Sequence, residues 1–277
     1  MRIALRVFAT VLIFAILTLL TQVGGIIFLL ALLTWPIINR KIATRLARFG
    51  TKALSFLLLY SIGIFIVVPV IAKQNGRVQL PMFETNGLKP RTIWTCLLNR
   101  NYAKPLLRNT AFSVANKMRD EYPGTVVKYL DSAFPFFDKL PIIPHLSHGD
   151  GRKLDVAFHY IDRSSGLPSN EHPSFTGYGV YEAPRASEID QSEICEKKGF
   201  WQPRFLKESA IPNRKGDFIF DSTRTKSLVN YFAADPAIEK IFIEPHLEIR
   251  MGLTNPKVRF QGCHAARHDD HVHVQVK

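Results

Sequence analysis

The sequence predicts an α+β fold, a small antiparallel sheet with flanking helices and long loops, preceded by an N-terminal transmembrane helical region. Three observations carry that expectation. Two long stretches near the N-terminus hold no charge. Strand-like alternation and helix-like spacing then come in separate blocks, which suits segregated layers rather than a wound parallel sheet. Between those blocks lies a segment rich in Gly, Pro, Ser and charge.

The uncharged stretches come first. No charged residue lies between Arg6 and Arg40, or between Lys52 and Lys73. A spanning helix needs roughly 20 apolar residues, and residues 53–72 fit one. The first stretch is longer; as a single helix it would reach roughly 50 Å against a hydrocarbon core of about 30 Å. With Gly24-Gly25 near its middle, it is either one tilted helix with an interfacial end or two segments turning at Gln22-Val-Gly-Gly. A second apolar segment after a basic loop argues for an anchor over a cleaved signal peptide. Residues 1–73 thus form a membrane anchor of two or three hydrophobic segments.

Charge distribution sets the orientation. The chain carries a formal +13, but residues 1–73 hold eight Lys or Arg and no acid, the first being Glu84. Most of the excess therefore sits at the membrane, which argues against a nucleic-acid partner or a general grip on anionic lipid. Lys and Arg in short loops mark the cytoplasmic side. With Arg40, Lys41, Arg45, Arg48 and Lys52 inside, everything after Lys73 lies outside the cytoplasm, which in a bacterium means the periplasm or the cell exterior. The cysteines Cys96, Cys195 and Cys263 lack metal-ligand spacing. An oxidising compartment would allow one disulfide and leave one thiol, and spacing does not choose the pair.

Residues 74–119 are expected to be a linker and lead-in, punctuated by Pro81, Pro90 and Pro105. Phe112, Val114 and Met118 have helical spacing, ending at Pro123-Gly124. "TVVKYLDSAF" reads as a strand. In "KLDVAFHYID", Leu154, Val156, Phe158 and Tyr160 share one face, and Asp155, Ala157 and His159 the other. Long loops are expected over 163–215. "DFIF" suggests a short strand. "STRTKSLVNYFAAD" suggests a helix capped by Ser222 or Thr223. A strand "IEKIFIEP", a short helix "HLEIRMGL" and a closing strand "HVHVQVK" complete the chain.

On a strand, residues i and i+2 point the same way, so His271 and His273 share a face. A second cluster, "HLSHGDGRKLDV", holds His145, His148 and Asp155. A catalytic zinc site typically uses three His or carboxylate ligands and keeps one position for water. His148, Asp155 and His273 supply that set from two distant places, with His271 and His268 nearby as groups that could accept and return a proton. His159, His172, His246 and His264 have no partner spacing and are expected to be structural or exposed. Asp150 suits turn chemistry better than support of a ligand. Glu244 is a weaker candidate to face the site, and Arg185 and Arg224 are weaker candidates to bind a substrate carboxylate.

The spacing His145-x-x-His148-x6-Asp155, followed far downstream by His268-x-x-His271-x-His273, resembles the penicillin-insensitive murein endopeptidase family. That family belongs to a zinc peptidase group with the lysostaphin-type enzymes, the D-Ala-D-Ala peptidases and the hedgehog fold. The resemblance covers residues 120–277, a zinc peptidase domain, and leaves the membrane segments outside it. "KSLVNYFAADPAIEKIFIEPHLE" is similar to the segment before the family's final histidines. By this resemblance His148, Asp155 and His273 would ligate Zn2+, His271 would be the base, and His268 and His145 would line the site. Arg152 and Lys153 depart from the family, Gly151 is similar to the D-Ala-D-Ala peptidases, and Asp270 stands where those enzymes place a basic Glu. The base is therefore His271 or Asp270.

The implied function is a membrane-anchored zinc metallopeptidase of the inner membrane that hydrolyses peptide cross-links of peptidoglycan stem peptides. The alternative is a non-catalytic zinc-binding module of the same fold that binds wall peptides or a partner.

Overall fold

The computed structural model describes residues 2–138, 140, 142, 146–204 and 213–277. Helix Arg2–Thr21 stops at Gln22, whose φ of 66° breaks it. Helix Gly24–Leu32 then turns back against it. At Gly25 a Cβ would run into Thr18 and Phe14, so glycine is what lets the two helices approach. Of the two expected threadings, the turn at Gln22-Val-Gly-Gly is the one observed. Helix Trp35–Lys41 continues at a bend of 42°, and a 30-residue apolar helix, Arg45–Gln74, follows. Ile3–Thr21 and Arg45–Gln74 are each long and apolar enough to cross a membrane, and the bent pair makes up to three spans.

Six short strands form the main sheet: β1 Leu88–Pro90, β2 Val127–Tyr129, β3 Lys153–Ala157, β4 Ile238–Phe242, β5 Val258–Arg259 and β6 His271–Val276. Their spatial order is β5-β4-β6-β3-β2-β1. The centre is antiparallel as expected, but the outer pairs β1/β2 and β4/β5 are parallel. Connectivity gives the reason. Each outer pair is joined through a helix, Pro105–Glu121 or Pro245–Met251, and a crossover of that kind returns the chain in the same direction.

Apolar side chains fix which face is which. Leu154, Val156, Val272 and Val274 share one core with Val114 and Met118 of helix Pro105–Glu121 and Leu228 and Phe232 of helix Ser222–Ala234. The period of two then sends Asp155, His271 and His273 to the opposite face.

Local outcomes differ in detail from the sequence pattern. "KLDVAFHYID" divides: β3 ends at Ala157, and Tyr160–Asp162 joins Pro168–Ser169 and Phe218–Phe220 in a separate small sheet. The cap of helix Ser222–Ala234 is Asp221, one residue earlier than Ser222. Its carboxylate accepts from Arg224 N at 3.0 Å and pairs with Arg224 Nε at 2.6 Å, two bonds a serine could not make together. The segment 74–119 supplies β1 and most of a core helix, Pro105–Glu121, as well as connecting the apolar helices to the sheet. It also docks on the apolar helices: Tyr60 OH, midway along Arg45–Gln74, donates to Leu97 O at 2.6 Å, and Asn99 Nδ2 donates to Thr21 O at 3.2 Å; from the later chain, Phe136 N donates to Gln22 Oε1 at 2.7 Å.

Among the cysteines, Cys195 of helix Gln191–Lys197 bonds to Cys263, and Cys96 is a buried free thiol. The bridge closes a separation of 68 residues, so chain entropy gives it up to about 4 kcal/mol. Replacing both partners with Ser is expected to lower the unfolding free energy of the soluble part by roughly 2–4 kcal/mol in urea titrations. An unchanged midpoint would show that the bridge adds nothing.

Candidate metal centre

The site forms where β3 and β6 lie side by side. Their register puts His273 opposite Asp155, which converts a separation of 118 residues into direct contact. His148 comes from a tight 3-10 turn, Leu146–Asp150, just before β3. His148 Nε2, Asp155 Oδ1 and His273 Nδ1 form a triangle with sides of 3.2, 2.8 and 3.2 Å. Three donors at 2.0–2.1 Å from a tetrahedral ion would lie about 3.3 Å apart, close to this triangle. All three residues are buried, and together they could hold a metal ion.

Neighbouring groups set the orientation and protonation of each ligand. His148 Nδ1 lies 3.1 Å from the Ser132 carbonyl, which can only accept, so the ring proton is there and Nε2 turns its lone pair inward. Burial holds the His273 ring down at about 4 against the pull of Asp155, so it is neutral and able to donate its lone pair. The Phe242 ring stacks on it with centroids 5.3 Å apart. The Asp155 carboxylate divides its work: Oδ1 faces the two imidazoles, and Oδ2 accepts from Tyr178 OH at 2.8 Å. Burial beside Asp131 and Asp155 keeps that phenol well above its usual range and hence a donor.

His271 points Nε2 toward the same place, 3.6 Å from Asp155 Oδ1. Behind it, Nδ1 lies 2.5 Å from Asp270 Oδ1, while Asp270 Oδ2 accepts from Gly179 N at 2.6 Å. Both Asp270 oxygens are thus engaged, and its place is that of a residue orienting His271. Burial disfavours the charged form of His271, but the carboxylates of Asp155 and Asp270 outweigh it and hold the ring up at about 9. His268 completes the group, its ring 4.8 Å from that of His271 and 5.4 Å from that of His273. His145 lies outside the described residues.

The remaining sequence candidates sit elsewhere. His159 and His172 are buried, and burial pushes both down to about 3. His246 Nε2 bonds to the Glu182 carbonyl at 2.7 Å, and His264 packs on Phe200. Asp150 accepts from Arg152 N and Lys153 Nζ, in keeping with turn chemistry. Glu244 accepts from His268 N at 3.2 Å and from Gln261 at 2.6 Å, which places it behind the site as support. Arg224 is buried in bonds to Asp221, Thr125 and backbone carbonyls, so it holds loops together; Arg185 is exposed.

Tyr178 was not legible from spacing. Its one signal is the run Gly177-Tyr178-Gly179, both glycines having φ near +90° (94° and 82°), a conformation other residues rarely adopt. At Gly177 a Cβ would also strike Leu130. Tyr178→Phe is expected to weaken metal binding about tenfold, because the Asp155 oxygen it tethers would be released. Chelator competition would measure it, and parental affinity would remove Tyr178 from the site's support. No protein-family model matches this chain, and no curated protein matches it either.

Proposed function

We propose that this protein is a membrane-anchored zinc metallopeptidase that hydrolyses amide cross-links in peptidoglycan stem peptides. One observation carries the catalytic part: beside a three-residue metal-binding set stands a further imidazole, His271, aimed at it and backed by a carboxylate. A module that only bound metal would have no use for such a pair. Two imidazoles and one carboxylate at tetrahedral spacing suit zinc with one position left for a fourth ligand.

When bound, zinc would acidify a water and polarise the scissile carbonyl. The chain's own residues would do the rest. A bound cation would offset the Asp155 charge that holds the His271 ring protonated, so His271 Nε2 would then take the proton of the attacking water and return it to the leaving amine, while Asp270 keeps the ring turned toward the substrate. His268 would stabilise negative charge developing on the carbonyl oxygen. Tyr178 would hold Asp155 in place through Oδ2.

Location supports the substrate class. The basic loop of residues 40–52 reads as cytoplasmic, which would put the domain on the side where cell-wall peptide lies. The Cys195–Cys263 bond suits an oxidising compartment. The test is full-length protein in detergent, assayed for zinc content and for digestion of cross-linked muropeptides. Stoichiometric zinc with new peptide ends is the expected result. Zinc without cleavage would favour the non-catalytic module, and neither would reject the reading.

A further inference from the structure

The apolar helix Arg45–Gln74 does not end in a loose tether. Gly76, at φ 69°, donates its N–H to Lys73 O at 3.0 Å, and Arg77 N donates to Ala72 O at 2.9 Å. These are the two bonds of a Schellman C-cap, so Arg77 is a rigid extension of the helix. Its side chain is fully buried. The guanidinium donates to the Phe134 carbonyl, to the Asp138 carboxylate and, at 2.7 Å, to the Gly149 carbonyl.

Gly149 is the residue after His148, in the same tight turn. That turn is fitted closely to the cage around Arg77. A Cβ on Gly149 would run into the Asp138 carbonyl, and one on Gly151 would come within 3.4 Å of Arg77 Cζ. Gly151 O also accepts from Lys104 N at 2.7 Å, fixing the turn's far end. A planar fork with several donors in fixed directions can satisfy a carboxylate and two carbonyls at once, whereas a lysine gathers its three donors on one compact, freely rotating ammonium. A buried charge placed here therefore ties two stretches of chain to the helix end, residues 134–138 and the turn at Gly149, and the second carries a candidate metal-binding histidine.

We propose that Arg77 is a positioning residue that fastens the turn bearing His148 to the end of the apolar helix, so that full metal affinity depends on this brace. This rests on His148 being a metal ligand. It extends that reading to how the site is supported: the turn that carries His148 is held by a guanidinium set at the end of the apolar helix.

The experiment uses full-length protein in detergent, with zinc affinity read by chelator competition and ligand geometry by the visible spectrum of bound Co(II). Arg77→Gln is expected to weaken zinc about 10–100-fold and to change the cobalt spectrum, the size of effect seen when outer supports of a metal site are removed. Arg77→Lys should recover part of the loss. Parental affinity and spectrum in Arg77→Gln would overturn the proposal. Should that variant lose its circular dichroism, Gly149→Ala tests the fit of the same turn against the Arg77 cage with Arg77 intact, since its methyl meets the carbonyl of Asp138, the residue whose carboxylate pairs with Arg77. Weakened zinc there supports the brace, and parental zinc overturns it. Absence of metal from the parent protein would overturn the metal site itself, a result distinct from loss in a variant alone.

Discussion

Asp155→Asn will leave the protein unable to retain a divalent ion. The substitution keeps the shape of the side chain and an acceptor for Tyr178 OH, so the fold around it is expected to survive. What it removes is the one carboxylate in a buried set whose other two members are imidazoles. A divalent cation taken from water into such a place depends on that charge. Affinity should fall by well over the 10–100-fold typical of outer supports. Elemental analysis after dialysis would show near-zero metal against about one ion per parent chain, and peptide cleavage would vanish with it. Full metal content in the variant would mean that the ion, if bound, sits elsewhere.

His271→Ala will separate binding from chemistry. The side chain lies 3.6 Å from Asp155 Oδ1 but is outside the ligand triangle, so metal content should stay at the parental level. Muropeptide cleavage should drop by about 10²–10⁴, the usual contribution of a positioned general acid–base group. Both oxygens of Asp270 already have partners, so Asp270 is not expected to take over the role. Cleavage within a few-fold of the parent would remove His271 from the mechanism, whatever the metal content.

These two variants probe residues that could be named before any coordinates. The reason is that the relevant signals are local. Hydropathy along the chain marks the helices that are long and apolar enough to cross a membrane, because lipid would solvate apolar side chains residue by residue. The period of two in "HVHVQV" puts His271 and His273 on one face and Val272 and Val274 on the other, since a half-buried strand must divide that way. The positions of Lys and Arg around Arg40–Lys52 indicate an orientation for the same reason, through short-range loop charge.

Other features came from contacts between segments far apart, and no local pattern encodes those. The Ser132 carbonyl that fixes the His148 tautomer has no residue identity to read, because every residue carries one. The Cys195–Cys263 pairing needed the loop before β6 to return beside helix Gln191–Lys197. Parallel outer pairs followed from where the crossover helices packed, which apolar periodicity alone leaves open. Tyr178 reaches Asp155 only because two glycines bend its loop over the sheet. Arg77 read as one more basic residue after the membrane segment, until folding enclosed it and aimed its donors at the turn bearing His148. By itself, then, the sequence determined which segments are apolar enough to cross a membrane, the residue types of the candidate metal set and the shared face of the final histidines, all products of near-neighbour physics. The register of β3 against β6 and the burial of Arg77, which bring the ligands together and brace them against the helix end, were decided only by tertiary packing, because each depends on segments that meet only in the folded chain.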